Sequence, residues 1–165
     1  MPLGSAETIA LAGMMGSGKS TVARELARLL GRPLLSTDAL VEAAAGTTVE
    51  RIFAERGEPA FRALERQAVA ALHGPVVADL GGGAFCDPDG AAHLLRVGRV
   101  VFLDVSPREA ARRLGGGEGR PLAAHWEPLL RRRLPLYRRA HLAVAVDGST
   151  PEAVARRVRD LLEGA

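Results

Sequence analysis

Hydrophobic residues follow two different periods along this chain. Short runs of consecutive apolar residues, such as 8–12 and 100–105, end at a glycine or a polar residue and are typical of buried parallel strands. Elsewhere apolar residues recur at helical spacing, as at Val22, Leu26 and Leu30, with charged residues between them. That spacing is typical of helices with one buried face.

The alternation of the two patterns predicts an α/β fold. Five strands are expected, at residues 8–12, 34–36, 76–80, 100–105 and 142–146. Helices are expected at 20–30, 39–45, Thr47 to Gly57 with Glu50 in a capping box, 59–72, 107–114, from Pro128, and from Pro151 behind the cap Thr150. Strands that alternate with helices form a parallel sheet covered on both faces, so we predict a three-layer α/β/α architecture.

Length and composition favour one globular domain spanning residues 1–165. The chain is 47% hydrophobic and 25% charged, as in ordinary globular proteins. No apolar run approaches the roughly 20 residues of a membrane span, and residues 1–5 lack the basic and then apolar pattern of a signal peptide. Cys86 is the single cysteine and has no internal disulfide partner, which fits a reducing compartment. We therefore expect a cytoplasmic protein without a membrane partner.

The basic residues are almost all arginine, since Lys19 is the single lysine among 22 basic residues. The formal net charge is +3, and arginines cluster at 131–133 and 138–139. Three interpretations are open: nucleic-acid binding, binding of small anionic molecules, or a solvated helix face. An aromatic content of 4% is too low for a base-stacking surface. We expect no nucleic-acid partner, and one or two of these arginines as ligands for a small anion.

Residues 13–20 contain the clearest functional motif. They read Gly-Met-Met-Gly-Ser-Gly-Lys-Ser, the G-x-x-x-x-G-K-S pattern of a P-loop, between a predicted strand and a predicted helix. The backbone N–H groups of such a loop bind nucleotide phosphates, Lys19 follows the transferred charge, and Ser20 offers a hydroxyl to Mg²⁺, the expected cofactor. The predicted ATP-binding residues here are Gly13, Met14, Met15, Gly16, Ser17, Gly18, Lys19, Ser20 and Thr21.

Further candidates follow the ends of predicted strands, where parallel sheets bind their ligands. Asp38 follows the second strand and is interpreted as a group that orients or deprotonates an acceptor hydroxyl, or as a helix cap, and the two roles are compatible. Residues 81–83 are three glycines after the third strand, which let the backbone approach a ligand closely. The glycine-rich stretch 115–122 is interpreted as a lid carrying Arg120, or else as a surface loop with an incidental arginine.

In their order along the chain, these motifs resemble the shikimate kinase family. The matching residues are the P-loop, Ser36-Thr37-Asp38, Ile52-Phe53, Gly57-Glu58, Phe61-Arg62, Gly81-Gly82-Gly83-Ala84, Arg120-Pro121-Leu122, and Arg133 with Pro135-Leu136-Tyr137. The resemblance implies a P-loop NTPase-like fold, as in nucleoside monophosphate kinases, with substrate-binding helices at 38–73 and a lid at 115–127. It also implies that ATP phosphorylates the 3-hydroxyl of shikimate, giving shikimate 3-phosphate and ADP in aromatic amino-acid biosynthesis.

The resemblance assigns roles residue by residue. Lys19, Asp38 and Arg120 would be catalytic, with Asp38 the candidate base and Arg120 descending from the lid onto the transferred phosphate. Arg113 and Pro151 match positions that enclose adenine. The shikimate-binding set would be Asp38, Phe53, Phe61, Arg62, Glu65, Gly81, Gly82, Gly83 and Arg133. Within it, Arg62 and Arg133 would pair with the carboxylate.

Two departures from the family pattern stand out. Many members carry Asp-Thr-Asp where this chain has Ser36-Thr37-Asp38, and the missing first carboxylate usually supports Mg²⁺ through water. We expect weaker or altered metal dependence. In addition, twelve residues separate Arg120 from Arg133, fewer than is usual, which predicts a shortened lid.

Two other functions are open at this stage. A related kinase of another small hydroxy acid, such as gluconate, would also need arginines for a carboxylate. A non-kinase P-loop protein would act as a switch or on nucleic acid. It would hydrolyse ATP slowly, and its binding to RNA or DNA would fall steeply with salt. The family is usually monomeric, and a monomer is expected here.

Overall fold

The computed structural model describes residues 3–115 and 124–164. In these ranges the chain forms one parallel sheet whose strand order is β2-β3-β1-β4-β5. The strands are β1 Thr8–Ala12, β2 Leu34–Ser36, β3 Val77–Asp79, β4 Gly98–Asp104 and β5 Leu142–Ala145. The predicted five-stranded parallel sheet is confirmed.

Helices connect and flank the strands. They are α1 Lys19–Leu30, α2 Thr37–Ala45, α3 Val49–Arg56, α4 Glu58–Ala70, α5 Pro88–Val97, α6 Pro107–Arg113, α7 Trp126–Tyr137 and α8 Pro151–Gly164, with a short 3₁₀ turn at Ala84–Cys86. Parallel strands are joined by right-handed crossovers. The connection from β1 to β2 therefore runs over one face of the sheet, while the return from β2 to β3 and the later connections cover the other face. In agreement with that layering, α1 packs against α8, and α4 packs against α5.

Several helix starts differ from the sequence predictions. The helix predicted from Thr47 begins at Val49, because it is the Thr48 side chain that accepts the Arg51 N–H, at 3.3 Å. Glu50 therefore occupies the second helical position and forms no capping box with Thr47. The helix predicted from Pro128 begins two residues earlier, at Trp126.

Asp38 is not the cap of its helix. The Ser36 hydroxyl caps α2 by accepting the Ala39 N–H at 3.3 Å, and Asp38 lies inside the first turn. The carboxylate of Asp38 is therefore not used to cap the helix.

Helix α5 has no counterpart among the sequence predictions. Its cap is Asp87, whose side chain accepts the Gly90 N–H at 2.9 Å, and Pro88 follows in the first turn. Gly90 obscures the helical pattern because glycine is a poor helix former. It is tolerated here because it packs tightly, with the Ala84 carbonyl 2.9 Å from the point where a β-carbon would stand.

The hydrophobic core divides into two clusters. The larger one surrounds the sheet, where Ile9, Leu11 and Leu103 are fully buried. The smaller one joins α2, α3 and α4 through Val41, Ile52, Phe61 and Ala68. Burying a large aliphatic side chain contributes about 1.5–3 kcal/mol, so the second cluster stabilises these three helices as a unit beside the sheet. Within the described ranges, no helix combines the length and hydrophobicity needed to traverse a bilayer.

The edge strand β5 is attached to β4 through His141. The His141 backbone N–H donates to the Val100 carbonyl at 2.9 Å, and the His141 Nδ1 accepts the Val100 N–H at 3.0 Å. Burial, and secondarily Arg99, lower the pKa of His141, while Glu7 opposes the shift. The neutral imidazole is thus the form that the folded protein favours.

Candidate active site

The P-loop joins the buried strand β1 to helix α1. Gly18 adopts φ +80°, a left-handed conformation that favours glycine, and lets the chain turn directly into Lys19, the first helical residue. No side chain of the described residues caps this helix, so its N-terminal N–H groups point into the loop. The buried Ser17 hydroxyl also has no hydrogen-bond partner among the described residues. An anion such as a phosphate group would accept hydrogen bonds from these unsatisfied N–H and hydroxyl donors.

Lys19 lies at the bottom of the loop. Its Nζ donates to the Gly13 carbonyl at 2.6 Å. Burial lowers the pKa of Lys19 to about 8, Asp79 and Asp38 oppose that shift, and Arg133 adds to it. The two carboxylates thus help to keep the buried amine charged at neutral pH.

Asp79 is a site residue that the sequence analysis did not single out. Its Oδ2 accepts a hydrogen bond of 2.6 Å from the hydroxyl of Ser20. Asp79 closes strand β3, next to the P-loop strand, where Leu11 is its partner in the register. The sequence feature that could have identified Asp79 is its carboxylate within the otherwise apolar run 76–80.

Asp38 projects into the same cleft from α2. Burial raises the pKa of Asp38 above its ordinary value, Asp79 raises it further, and Lys19 opposes both. A carboxylate of raised basicity beside an ammonium group is suited to accept a proton from a hydroxyl or to orient it.

Each of the three glycines at 81–83 lies against a different charged side chain. A β-carbon on Gly81 would stand 2.7 Å from Asp38 Oδ1, on Gly82 2.9 Å from Arg133 Nη1, and on Gly83 2.5 Å from Arg62 Nη1. Side chains here would displace these groups. The glycines are therefore required for space rather than for unusual backbone angles, since none of the three has a positive φ.

Arg62 is held by two acidic residues of its own helix, α4. Its Nη1 forms an ion pair of 2.7 Å with Glu65 Oε1, and its Nη2 lies 3.4 Å from Glu58 Oε1. Glu65 is 2% exposed, and burial raises its pKa while Arg62 lowers it. The second oxygen of Glu65 has no hydrogen-bond partner among the described residues, so it offers a buried acceptor to a ligand hydroxyl.

Arg133 approaches the glycines from α7. Tyr137, one turn further along α7, donates from its hydroxyl to the Gly82 carbonyl at 2.5 Å, and its ring stacks on Phe102. Burial raises the pKa of Tyr137 well above its usual range, so it remains a donor. The arginines at 131, 132, 138 and 139 are exposed, unlike Arg133.

The opposite end of the cleft contains Arg113 and Pro151. Arg113 donates from Nη1 to the Ser17 carbonyl at 3.0 Å and pairs through Nε with Glu109 at 2.8 Å. Nearby, the buried Trp126 donates from Nε1 to the Met15 carbonyl at 3.0 Å. These contacts fasten α6 and α7 to the P-loop.

Most of these residues line one cleft of about 1000 Å³, and Trp126 and Tyr137 lie behind its lining. It extends from Pro151 and Arg113, past the P-loop and Thr21, to Asp38, Arg62 and Arg133. Of the residues predicted for the site, Gly13 and Phe53 do not line it, although Phe53 lies 4.6 Å, ring centroid to centroid, from the lining residue Phe61. Arg120, and residues 116–123 of the lid predicted at 115–127, lie outside the described residues.

Comparisons with known proteins agree on one family. The family model described as "Shikimate kinase" matches residues 15–163. Shikimate kinase of Thermobifida fusca (strain YX) is 47% identical over 164 residues, covering 94% of this chain and 94% of that protein. A shikimate kinase structure from Acinetobacter baumannii, in complex with shikimate, has a TM-score of 0.85 at 32% identity and covers 94% of this chain and 92% of its own.

A likeness to another kinase is limited to the fold. A gluconokinase structure from Sinorhizobium meliloti 1021 matches 94% of this chain and 91% of its own with a TM-score of 0.59, at 21% identity. That identity is too low to carry an acceptor specificity.

Proposed function

The chain belongs to the shikimate kinase family, and on that premise we propose that it transfers the γ-phosphoryl group of ATP to the 3-hydroxyl of shikimate. The observation that supports this most strongly is the cleft that two different kinds of site share. It places a P-loop at one end and, at the other, a carboxylate with two arginines that converge on three glycines. A phosphoryl donor and a small carboxylated acceptor fit these two ends.

The donor end is suited to hold and stabilise the transferred group. The N-terminus of α1 and the P-loop N–H groups bind the β- and γ-phosphates, and Lys19 neutralises charge that develops during transfer. Arg113 and Pro151 enclose the adenine. Arg120 is proposed to complete the electrostatic stabilisation from the lid.

The acceptor end is suited to orient a hydroxylated acid. Arg62 and Arg133 bind the carboxylate, because guanidinium groups pair with carboxylates through two parallel hydrogen bonds. The unpartnered oxygen of Glu65 accepts from a ring hydroxyl, and Phe61 and Phe53 provide apolar surface. Asp38 contacts the reacting hydroxyl and takes its proton as the hydroxyl oxygen bonds to the γ-phosphorus, while the bond from that phosphorus to the bridging oxygen breaks and ADP leaves.

The residues beside the P-loop fit a magnesium ion. Ser20 and Asp79 present hard oxygen atoms, the ligand type that Mg²⁺ prefers. The described residues contain no cluster of three or more metal-binding side chains. Mg²⁺ needs none, because it retains several waters and binds mainly to phosphate oxygens. When bound, it would neutralise phosphate charge beside Ser20.

The remaining aspects follow from the proposed reaction. Because ATP is the donor, we expect the enzyme to work in the cytoplasm with ATP and shikimate as its partners. We expect a monomer because the family is usually monomeric. A gluconate kinase is the second candidate. It is favoured only by the two arginines, which do not distinguish one carboxylic acid from another.

The direct test is ADP release with ATP and Mg²⁺, measured with shikimate, with gluconate and with no acceptor. We expect ADP release with shikimate as the acceptor, and not with gluconate or without an acceptor. Asp38→Asn should lower kcat by about 100-fold or more, within the range for loss of a general base, while ATP affinity is retained. Turnover with gluconate but not shikimate would establish the second candidate, and a fully active Asp38→Asn would refute the role of Asp38.

A further inference from the structure

The residue at position 36 leaves a chemical role unfilled. A carboxylate is the usual family residue there, and this chain has Ser36. In the structure the Ser36 hydroxyl is already engaged, because it caps α2 by accepting the Ala39 N–H. It brings no negative charge to the cleft.

The strand next to Ser36 provides a carboxylate at the same level of the sheet. In the parallel register of β2 and β3, the partner of Ser36 is Asp79. Partner residues in a parallel pair project to the same face of the sheet, and neighbouring strands lie about 4.8 Å apart. Asp79 therefore carries the charge on the same face, one strand closer to β1 and the P-loop.

Asp79 also contacts the residue that would bind the metal. Its Oδ2 accepts from Ser20 Oγ at 2.6 Å, a short bond of the kind formed when a hydroxyl donates to a carboxylate. P-loop proteins hold Mg²⁺ through the P-loop Ser or Thr together with an Asp from a separate motif. A partner that fixes the hydroxyl hydrogen leaves the oxygen lone pairs of Ser20 directed away from Asp79, toward the phosphate site.

We propose that Asp79 takes over, in this chain, the metal-supporting role of the carboxylate absent at position 36. It acts as a positioning residue: it orients the Ser20 hydroxyl and accepts a hydrogen bond from a metal-bound water. The inference rests on the proposed function only in requiring a metal–nucleotide complex at the P-loop, and it does not depend on the identity of the acceptor.

The test measures metal binding without turnover. Mn²⁺ serves as a paramagnetic probe of the magnesium site, and its affinity in the complex with ADP is measured by electron paramagnetic resonance in the absence of shikimate. Metal-free ADP affinity is measured by calorimetry. Asp79→Asn and Asp79→Ser should weaken Mn²⁺ binding by about 10- to 100-fold, the range for losing a group behind a metal ligand, without weakening metal-free ADP binding.

Two further variants make the result specific. Asp89→Asn removes the same charge from an exposed position in α5 and should leave Mn²⁺ affinity unchanged. The double variant Ser36→Asp/Asp79→Ser returns the carboxylate to the neighbouring strand and should recover most of the lost affinity.

Each outcome has a separate meaning. Unchanged Mn²⁺ affinity in Asp79→Asn, or in Asp79→Ser if the first variant does not fold, would overturn the proposal. A double variant as weak as Asp79→Ser would overturn the equivalence with position 36. An absence of shikimate-dependent turnover in the natural enzyme would refute the proposed function instead, and would leave the metal measurements to decide this inference independently.

Discussion

Replacing the glycines at 81–83 one at a time by alanine should produce a different kinetic defect at each position. None of the three has a positive φ, so alanine fits the backbone without strain. The added methyl group is then the whole perturbation, and each methyl meets a different charged group. The series tests the division of roles between Asp38, Arg133 and Arg62.

At position 81 the new β-carbon would stand 2.7 Å from Asp38 Oδ1 and 3.1 Å from Glu65 Oε2. Ordinary contacts of this type begin near 3.4 Å, so a shift of about 0.7 Å is required. Asp38 has a short side chain that yields only by moving its carboxylate. Misplacing a reacting group by about 1 Å costs on the order of 100-fold in rate. We expect Gly81→Ala to lower kcat by about 10- to 100-fold, with a smaller change in the KM for shikimate.

At positions 82 and 83 the methyl meets the tips of long arginine side chains, 2.9 Å from Arg133 Nη1 and 2.5 Å from Arg62 Nη1. Those long side chains move more readily than the short Asp38 side chain, although Arg62 has to shift against its ion pair with Glu65. Their displacement weakens carboxylate binding. We expect the KM for shikimate to rise about 10-fold, as for the loss of roughly 1.4 kcal/mol of binding, with kcat less affected.

The assay is steady-state ADP release over a range of shikimate concentrations at saturating ATP, with thermal unfolding measured for each variant. Gly164→Ala is the matched control, because a β-carbon there meets nothing within 4 Å. If Gly81→Ala kept the natural kcat, or if all three variants shared one defect, the assignment of separate roles would be refuted.

Three further predictions concern other parts of the molecule. Lys19→Arg should bind ATP but transfer phosphate poorly, because a planar guanidinium differs in shape and reach from an ammonium group; near-normal turnover would show that charge alone suffices. Tyr137→Phe should lower the free energy of unfolding by about 1–2 kcal/mol in chemical denaturation, because the Gly82 carbonyl loses its donor, and an unchanged value would contradict that. The lowered pKa of His141 means that the unfolded chain binds its proton more readily. Stability should therefore fall as pH drops below about 6.5, and His141→Gln should flatten that slope in denaturation curves between pH 5 and 7.

The parts of the fold that sequence predicts are those specified by neighbouring residues. The P-loop, the strand before it and the helix after it are written in consecutive positions, and the five-stranded sheet follows from strands alternating with helices. The family resemblance rests on short motifs and is confirmed by the family model. Helix α5 escaped prediction because Gly90 weakens its local pattern while distant contacts stabilise it.

The parts of the site that sequence does not predict depend on contacts between distant residues. Asp79 becomes a candidate only once β3 is placed beside β1 and its carboxylate meets Ser20, 59 positions earlier. The bond from Tyr137 to Gly82 and the pairing of each glycine with one charged group likewise require the folded structure. Asp38 shows a third case, because its residue type was informative but its place in the helix was set by Ser36.

In helix α7 the contacts with the site fix the number of residues between them more strictly than the identity of those residues. Trp126 bonds to Met15 of the P-loop, Arg133 lies against Gly82, and Tyr137 bonds to the Gly82 carbonyl. Arg133 and Tyr137 follow Trp126 by 7 and 11 residues. At about 100° per residue, their side chains point within roughly 20° of the Trp126 direction, so all three lie on one face of the helix. One residue inserted between Trp126 and Arg133 would turn the arginine about 100° away from the cleft. The exposed residues of α7 are thus free to change in identity, while the number of residues from 126 to 137 is not free to change.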